Sequence, residues 1–326
     1  MNNYSALQRF LHRSVLSSQL MREIMFDVEK SIFLKKDDLF DDDHVFVAGL
    51  ARSGTTILLN AIYQSNEFAS LTYDDMPFIL APNLWGKINR KSTHGEAKER
   101  AHGDGVRVST NSPEAFEEVF WKTFSDNSII RDELFIKFIS LILKKNNKTR
   151  YLSKNNQNIR RLDLISEIFP RSIILIPFRD PLQHAFSLYS QHMKFVKEQN
   201  EDSFIRDYMK WIGHSEFGLD YKMIHPSNLL YPNEKEFNHW LEQWYLTYKS
   251  VLELSVKHEE FYLIGYESLC SNPKVWINVK DLLGINQEIK FLFKESKKVI
   301  GQTFDNNLSD RCYRLYESLV SKSFGT

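Results

Sequence analysis

HVFVAGLARSGTTILLNAIY, residues 44–63, is the stretch whose reading decides the fold. It joins an apolar run of strand length, a loop closed by glycines, and a segment whose apolar residues recur at helical spacing. Gly49 to Thr56 reads G-L-A-R-S-G-T-T and fits the phosphate-loop template G-x-x-x-x-G-K-[ST], except that Thr55 stands where the template has lysine. A strand–loop–helix of this kind presents backbone N–H groups and a helix N-terminus to an anion. Gly49 allows the turn and Gly54 a close backbone approach, while Ser53, Thr55 and Thr56 add hydroxyl donors. Arg52 brings a guanidinium that can fork across a phosphate or sulfate. Without the lysine, the usual contact to the β- and γ-phosphates of a triphosphate is missing. The loop therefore suits a 5′-terminal anion that is smaller or differently charged.

Outward from the loop, short apolar runs alternate with helical patterns. EFASLTY (67–73), YLSKNN (151–156), RSIILIPFRDP (171–181) and FYLIGYE (261–267) read as further strands. Ser112-Pro113-Glu114 reads as a helix start, and the helix after Pro181 runs through LQHAFSLYSQHMKF. The alternation predicts an α/β protein of phosphate-loop NTPase-like, three-layer type, with a mainly parallel central sheet flanked by helices. Ligands of such sheets bind at the carboxyl ends of the strands. Arg52–Thr56, Asp74/Asp75, Lys154, Arg179 and Tyr266 sit at those ends, so one crevice should collect them. The expected organisation is an N-terminal helix and acidic connector over 1–43, then one α/β domain over 44–326. Helical insertions are expected at about 86–148 and 200–257.

Composition sets outer bounds. The 326 residues carry 42 basic and 42 acidic side chains, a balance that argues against nucleic acid as a partner. Cys270 and Cys312 make neither a disulfide framework nor a metal site, so a reducing, cytoplasmic compartment is expected. Arg9, Arg13 and Arg22 interrupt the N-terminal apolar residues, which lack the roughly 20 apolar positions of a membrane span. Leu7, Phe10, Leu11, Val15, Leu20, Ile24 and Met25 fall near helical spacing and predict an amphipathic helix packed on the domain, with peripheral membrane contact as the alternative.

The R-S-G-T-T loop after an apolar strand resembles the 5′-phosphosulfate loop of sulfotransferases that use 3′-phosphoadenosine 5′-phosphosulfate (PAPS). The resemblance is to the bacterial and tyrosylprotein-sulfotransferase branch, which carries arginine before S-G-T-T. FRDPLQHAFSLYSQH adds a second match: Arg179 ends a strand and Ser187 lies two helical turns into the next helix, as in the family's 3′-phosphate-binding element. YLSKNN resembles the strand end whose lysine contacts the moving sulfonate, which implies that role for Lys154. YESLCSNPKVWINVKDLLGI (266–285) is similar to the family's late segment and implies Tyr266 beside the nucleotide. The matches span roughly 44–285 and are dense in the two anion-binding elements.

The resemblance implies sulfonate transfer from PAPS, with 3′-phosphoadenosine 5′-phosphate (PAP) as product. Arg52 and Lys154 would stabilise the moving group without a metal. For the base that takes the acceptor proton, Asp75 is the expectation from its place relative to the family's catalytic glutamate. Asp74 and the loop pair His102/Asp104 are the alternatives. The expected acceptor is a glycan, a lipid-linked sugar or a small hydroxylated metabolite. Two other readings stay open: a phosphate-loop kinase or NTPase with Asp74/Asp75 on magnesium, and a non-catalytic nucleotide-binding module.

Overall fold

Val45–Val47 forms β1, the middle strand of a five-stranded sheet. The computed structural model describes residues 6–35, 43–89, 98–99, 107–109, 111–125, 128–289, 291–295 and 297–325. The remaining sheet strands are β2 (Phe68–Ala69), β5 (Arg150–Lys154), β6 (Ile173–Phe178) and β7 (Phe261–Gly265). Their order is β2-β5-β1-β6-β7, and every adjacent pair is parallel. A separate antiparallel pair joins β3 (Lys98–Glu99) and β4 (Arg107–Val108).

The apolar runs are continuous because the sheet is covered on both faces. Successive side chains alternate between two cores. Phe46, Tyr151, Ile174, Ile176 and Leu263 enter one cluster, whereas Val45, Val47, Leu152, Leu175 and Ile264 enter the other. The second face is covered by α3 (Thr55–Tyr63), α11 (Tyr266–Ser271) and α12 (Pro273–Leu282). On the first lie α6 (Ser128–Asn146), α7 (Leu162–Ile168), α8 (Pro181–Glu201), α9 (Ser203–Trp211), α10 (Phe237–Leu254) and α13 (Asn306–Ser321). The three-layer α/β expectation therefore holds.

From β1 the chain passes through α3 towards the β2 side, and from β6 it passes through α8 towards β7. The two connections leave in opposite directions and open a crevice between the carboxyl ends of β1 and β6, the place where such sheets bind ligands.

Two local expectations are corrected. Within EFASLTY only Phe68–Ala69 stays in the sheet, and Tyr73–Asp75 forms a 3-10 turn. The intervening residues pair elsewhere: Thr72 bridges Pro113, the Tyr73 N–H donates to Ser112 O (3.3 Å), and the Glu114 N–H donates to Leu71 O (3.0 Å). Those same bonds keep Ser112-Pro113-Glu114 extended, so the next helix, α5 (Glu118–Thr123), begins later.

The N-terminal stretch forms two helices, α1 (Ala6–Leu16) and α2 (Gln19–Phe33), with Ser18 capping the second. α2 buries Arg22, Phe26 and Glu29, and it exposes Leu20 (66%), Ile24 (45%), Val28 (41%) and Ile32 (56%). Arg22 donates to Thr123 Oγ1 (2.7 Å). Glu29 accepts from the Asn83 N–H (2.6 Å) and the Leu84 N–H (3.0 Å), the free donors at the start of α4 (Pro82–Ile88). Polar anchors thus override apolar periodicity in orienting this helix. Among the described residues, no helix is long and apolar enough to cross a membrane.

Candidate active site

The loop after β1 takes its shape from two left-handed residues, Arg52 (φ 72°) and Gly54 (φ 102°). Alternating hand along a turn points successive N–H groups into one concavity, which suits an anion. Gly54 is also the N-cap of α3 and offers no capping side chain, which leaves that helix terminus open. A Cβ at Gly54 would stand 2.5 Å from the Tyr266 ring, so both space and φ require glycine. Arg52 has no such excuse. The other described non-glycine residues with positive φ are Asn66, Asn147 and Asn228, a residue type that tolerates this region. An arginine there costs about 1–3 kcal/mol, which the surroundings must offset.

Those surroundings are visible. Arg52 Nε donates to Ser187 Oγ at 3.1 Å, tying the loop to the second turn of α8. One turn earlier, His184 Nε2 lies 2.8 Å from the Ala51 carbonyl. Thr55 Oγ1 donates to Asn156 Oδ1 (3.2 Å), just beyond the end of β5. Ser53 is fully buried, and its Oγ lies 2.9 Å from where a Gly49 Cβ would be.

Arg179, at the end of β6, lies 5.5 Å from the Tyr266 ring centroid and 3.8 Å from Glu267, its ion-pair partner. Asp180, the neighbour it might have paired with, caps α8 instead by accepting from the Gln183 N–H (2.9 Å). Burial raises the Glu267 carboxyl above its ordinary range, against the Asp180 N–H, Tyr316 and Arg179. Tyr266 is buried and donates its phenol to Lys294 O (2.8 Å). The crevice thus collects Arg52, Gly54, Thr55, Arg179, Ser187 and Tyr266.

Lys154 is paired with Val47 across the sheet, and its ammonium is 3.7 Å from Glu114. Tyr73 donates to the other Glu114 oxygen (3.0 Å). Asp75 is in a different situation. Its Oδ2 accepts from the Thr72 N–H (2.7 Å) and Thr72 Oγ1 (3.1 Å), and its Oδ1 pairs with Lys145 at 2.5 Å. This is a capping box closed by a half-buried ion pair, with both carboxylate oxygens engaged. Asp74 accepts from Trp85 through its main-chain oxygen (2.9 Å). His102 and Asp104 lie outside the described residues.

The sequence reading missed a further group. Gly213 and Gly218 bracket the segment GHSEFG; both have positive φ and no room for a Cβ, against Glu118 and Gln199 respectively. Between them, His214 Nδ1 and Glu216 Oε2 are 3.1 Å apart, and Asn156 Nδ2 donates to Glu216 Oε1 at 3.4 Å. Asn156 thus links an imidazole–carboxylate pair to Thr55. In the sequence those glycines lie within the helical insertion expected at about 200–257.

A five-stranded parallel sheet flanked by helices, with an arginine-bearing loop at its switch point, defines a protein of the phosphate-loop-like fold class. A sequence model of the sulfotransferase family matches residues 44–229, more than half of the chain, and the chain belongs to that family. No curated protein matches it. Among solved structures, a sulfotransferase from Mycobacterium tuberculosis shares the fold at TM-score 0.51 and 12% identity, covering 99% of this chain and 87% of that one. A Mycobacterium avium sulfotransferase aligns at TM-score 0.46 and 11% identity, covering 98% and 79%. One from Alicyclobacillus acidocaldarius aligns at TM-score 0.42 and 13% identity, covering 86% and 93%.

Proposed function

We propose that this sulfotransferase takes PAPS as donor and passes its sulfonate to a hydroxyl of a glycan, a lipid-linked sugar or a small metabolite. The observation that carries the reading is the meeting of Arg52 and Ser187 across the β1/β6 crevice, beside Arg179. It joins the two separate anion elements of the sequence into one site. The residues fit the donor: an open helix terminus with a left-handed pair for its 5′ end, and a cation with a hydroxyl for its 3′-phosphate.

When bound, the donor supplies an activated sulfonate on its 5′-phosphate. Arg52, Thr55, Thr56 and the loop amides hold that end, Arg179 and Ser187 hold the 3′-phosphate, and Tyr266 backs the loop at Gly54. Lys154, buried beside the loop, offsets charge on the moving group, so that positioning and electrostatics carry most of the acceleration. For the acceptor proton we favour the His214–Glu216 pair over Asp75, whose oxygens are occupied by Thr72 and Lys145. The free cysteines Cys270 and Cys312 support a reducing, cytoplasmic setting.

Calorimetric titration with PAP, AMP and magnesium-ATP tests the donor. Binding of PAP well above AMP, with the difference lost in Arg179→Ala, is expected. A preference for magnesium-ATP would overturn the assignment in favour of a kinase or NTPase. Incubation with ³⁵S-labelled PAPS and fractionated cell extract then identifies the acceptor class by the species that gains label.

A further inference from the structure

His184 takes no part in the chemistry assigned above, yet it is fully buried and its ring lies directly behind the anion loop. Its Nε2 is 2.8 Å from the Ala51 carbonyl, and a carbonyl only accepts. The proton must therefore sit on Nε2, and the ring is one defined neutral tautomer with a bare Nδ1. Burial pushes its pKa down to about 3, against the raising effect of the Ala51 bond, and the nearby Arg179 and Arg52 lower it further. Tyr248 completes the rear wall: its ring centroid is 6.1 Å from that of His184, and its hydroxyl donates to Pro177 O (2.8 Å).

The position of this bond gives it meaning. Ala51 immediately precedes Arg52, the one described non-glycine, non-asparagine residue in the left-handed region. The peptide between them sets the direction of the Arg52 N–H, and the His184 bond holds the oxygen of that same peptide. Ser187, three residues on along α8, receives the Arg52 side chain (3.1 Å). One helix therefore grips Arg52 at both ends, by its backbone from His184 and by its guanidinium from Ser187.

We propose that His184 is a positioning residue: as a neutral Nε2–H donor to Ala51, it imposes the left-handed turn at Arg52 and so pre-forms the anion loop. A neutral donor suits this place, because a third cation beside Arg52 and Arg179 would repel both. The ligand-binding consequence rests on the donor reading above; the structural consequence does not.

The test uses the full-length protein and two variants, His184→Leu, which removes the donor, and His184→Gln, which keeps an N–H at similar reach. In ¹⁵N-histidine NMR of the wild type at pH 7, the resonance lost in His184→Gln should be an Nε2–H tautomer that does not titrate between pH 5 and 8. A protonated Nδ1 there, or a titrating ring, would overturn the proposal. Amide hydrogen exchange across residues 50–56 should be faster in His184→Leu and near wild type in His184→Gln; equal protection in all three would also refute it. Affinity for PAP should fall about tenfold or more in His184→Leu, the loss expected for one buried hydrogen bond, and recover in His184→Gln. If the wild type fails to bind PAP, the donor reading falls, and tautomer and exchange still decide the role of His184. If His184→Leu does not fold, the wild-type tautomer and the His184→Gln loop protection decide it.

Discussion

At the scale of single residues, the site rests on positions where chemistry and backbone geometry coincide. Gly54 is the sharpest case, because any side chain there meets both an unfavourable φ and the Tyr266 ring. Gly54→Ala should lose about 1–3 kcal/mol of stability and most PAP affinity, measured by thermal unfolding and calorimetry. Adding Tyr266→Ala should relieve the clash but not the dihedral, so recovery should be partial. Asp75 and His214 separate in the same way. Asp75→Asn breaks the Lys145 pair and should cost about 1–3 kcal/mol of stability while leaving appreciable transfer. His214→Gln should spare stability and lower transfer about 10²-fold or more. A stable, inactive Asp75→Asn enzyme would return the base to Asp75. The strand–loop–helix around Gly49–Thr56 was legible in the sequence, since its signature is local. The commitment of Asp75 was not, because Lys145 lies seventy positions away and no local pattern announces the pairing.

At the scale of elements, β2 and β5 keep only short apolar cores of two residues, whereas β1, β6 and β7 were legible because each is a continuous apolar run. Their alternation between two cores shows why the run is unbroken. Helix α2 was not legible in the same way. Apolar periodicity finds the helix, but two buried charges, Arg22 and Glu29, set which face turns inward. Their partners, Thr123 and the first amides of α4, belong to distant segments. The element therefore inverts the usual expectation for substitution. Glu29→Ala should destabilise the protein by about 2–4 kcal/mol, through lost charged hydrogen bonds and exposed helix-terminal donors. Ile24→Gln on the outer face should stay within about 0.5 kcal/mol. Denaturant unfolding of the two variants compares them directly; a larger loss for Ile24→Gln would mean that the outer face is covered. The lost strand at residues 70–73 has a similar origin, since Thr72 finds its partner at Pro113.

At the scale of the whole molecule, buried histidines link stability to pH. Burial lowers His184 to about 3 and His192 to about 4, and it lowers His12, His225 and His239 as well. Each is harder to protonate in the fold than in the unfolded chain, which protonates its histidines below about 6.5. The unfolded state thus binds more protons, and stability present above pH 6.5 is lost progressively as pH falls towards 4. Glu29, Glu118 and Glu267, whose carboxyls are raised by burial, act in the opposite sense, beginning from their own elevated values. Tm should therefore drop between pH 7.5 and 5, with a shallower slope in His192→Gln; a flat profile would contradict the neutral histidines. The strand order carries a consequence of another kind, in time. β1 and its loop leave the ribosome early, but their sheet partners Leu152 and Ile173 follow more than a hundred residues later. A nascent chain that stops short of β5 has the whole loop and neither of the strands that flank β1. The loop is therefore written first and assembled late, and the apolar strand that leads into it waits unpaired until more than a hundred further residues are made.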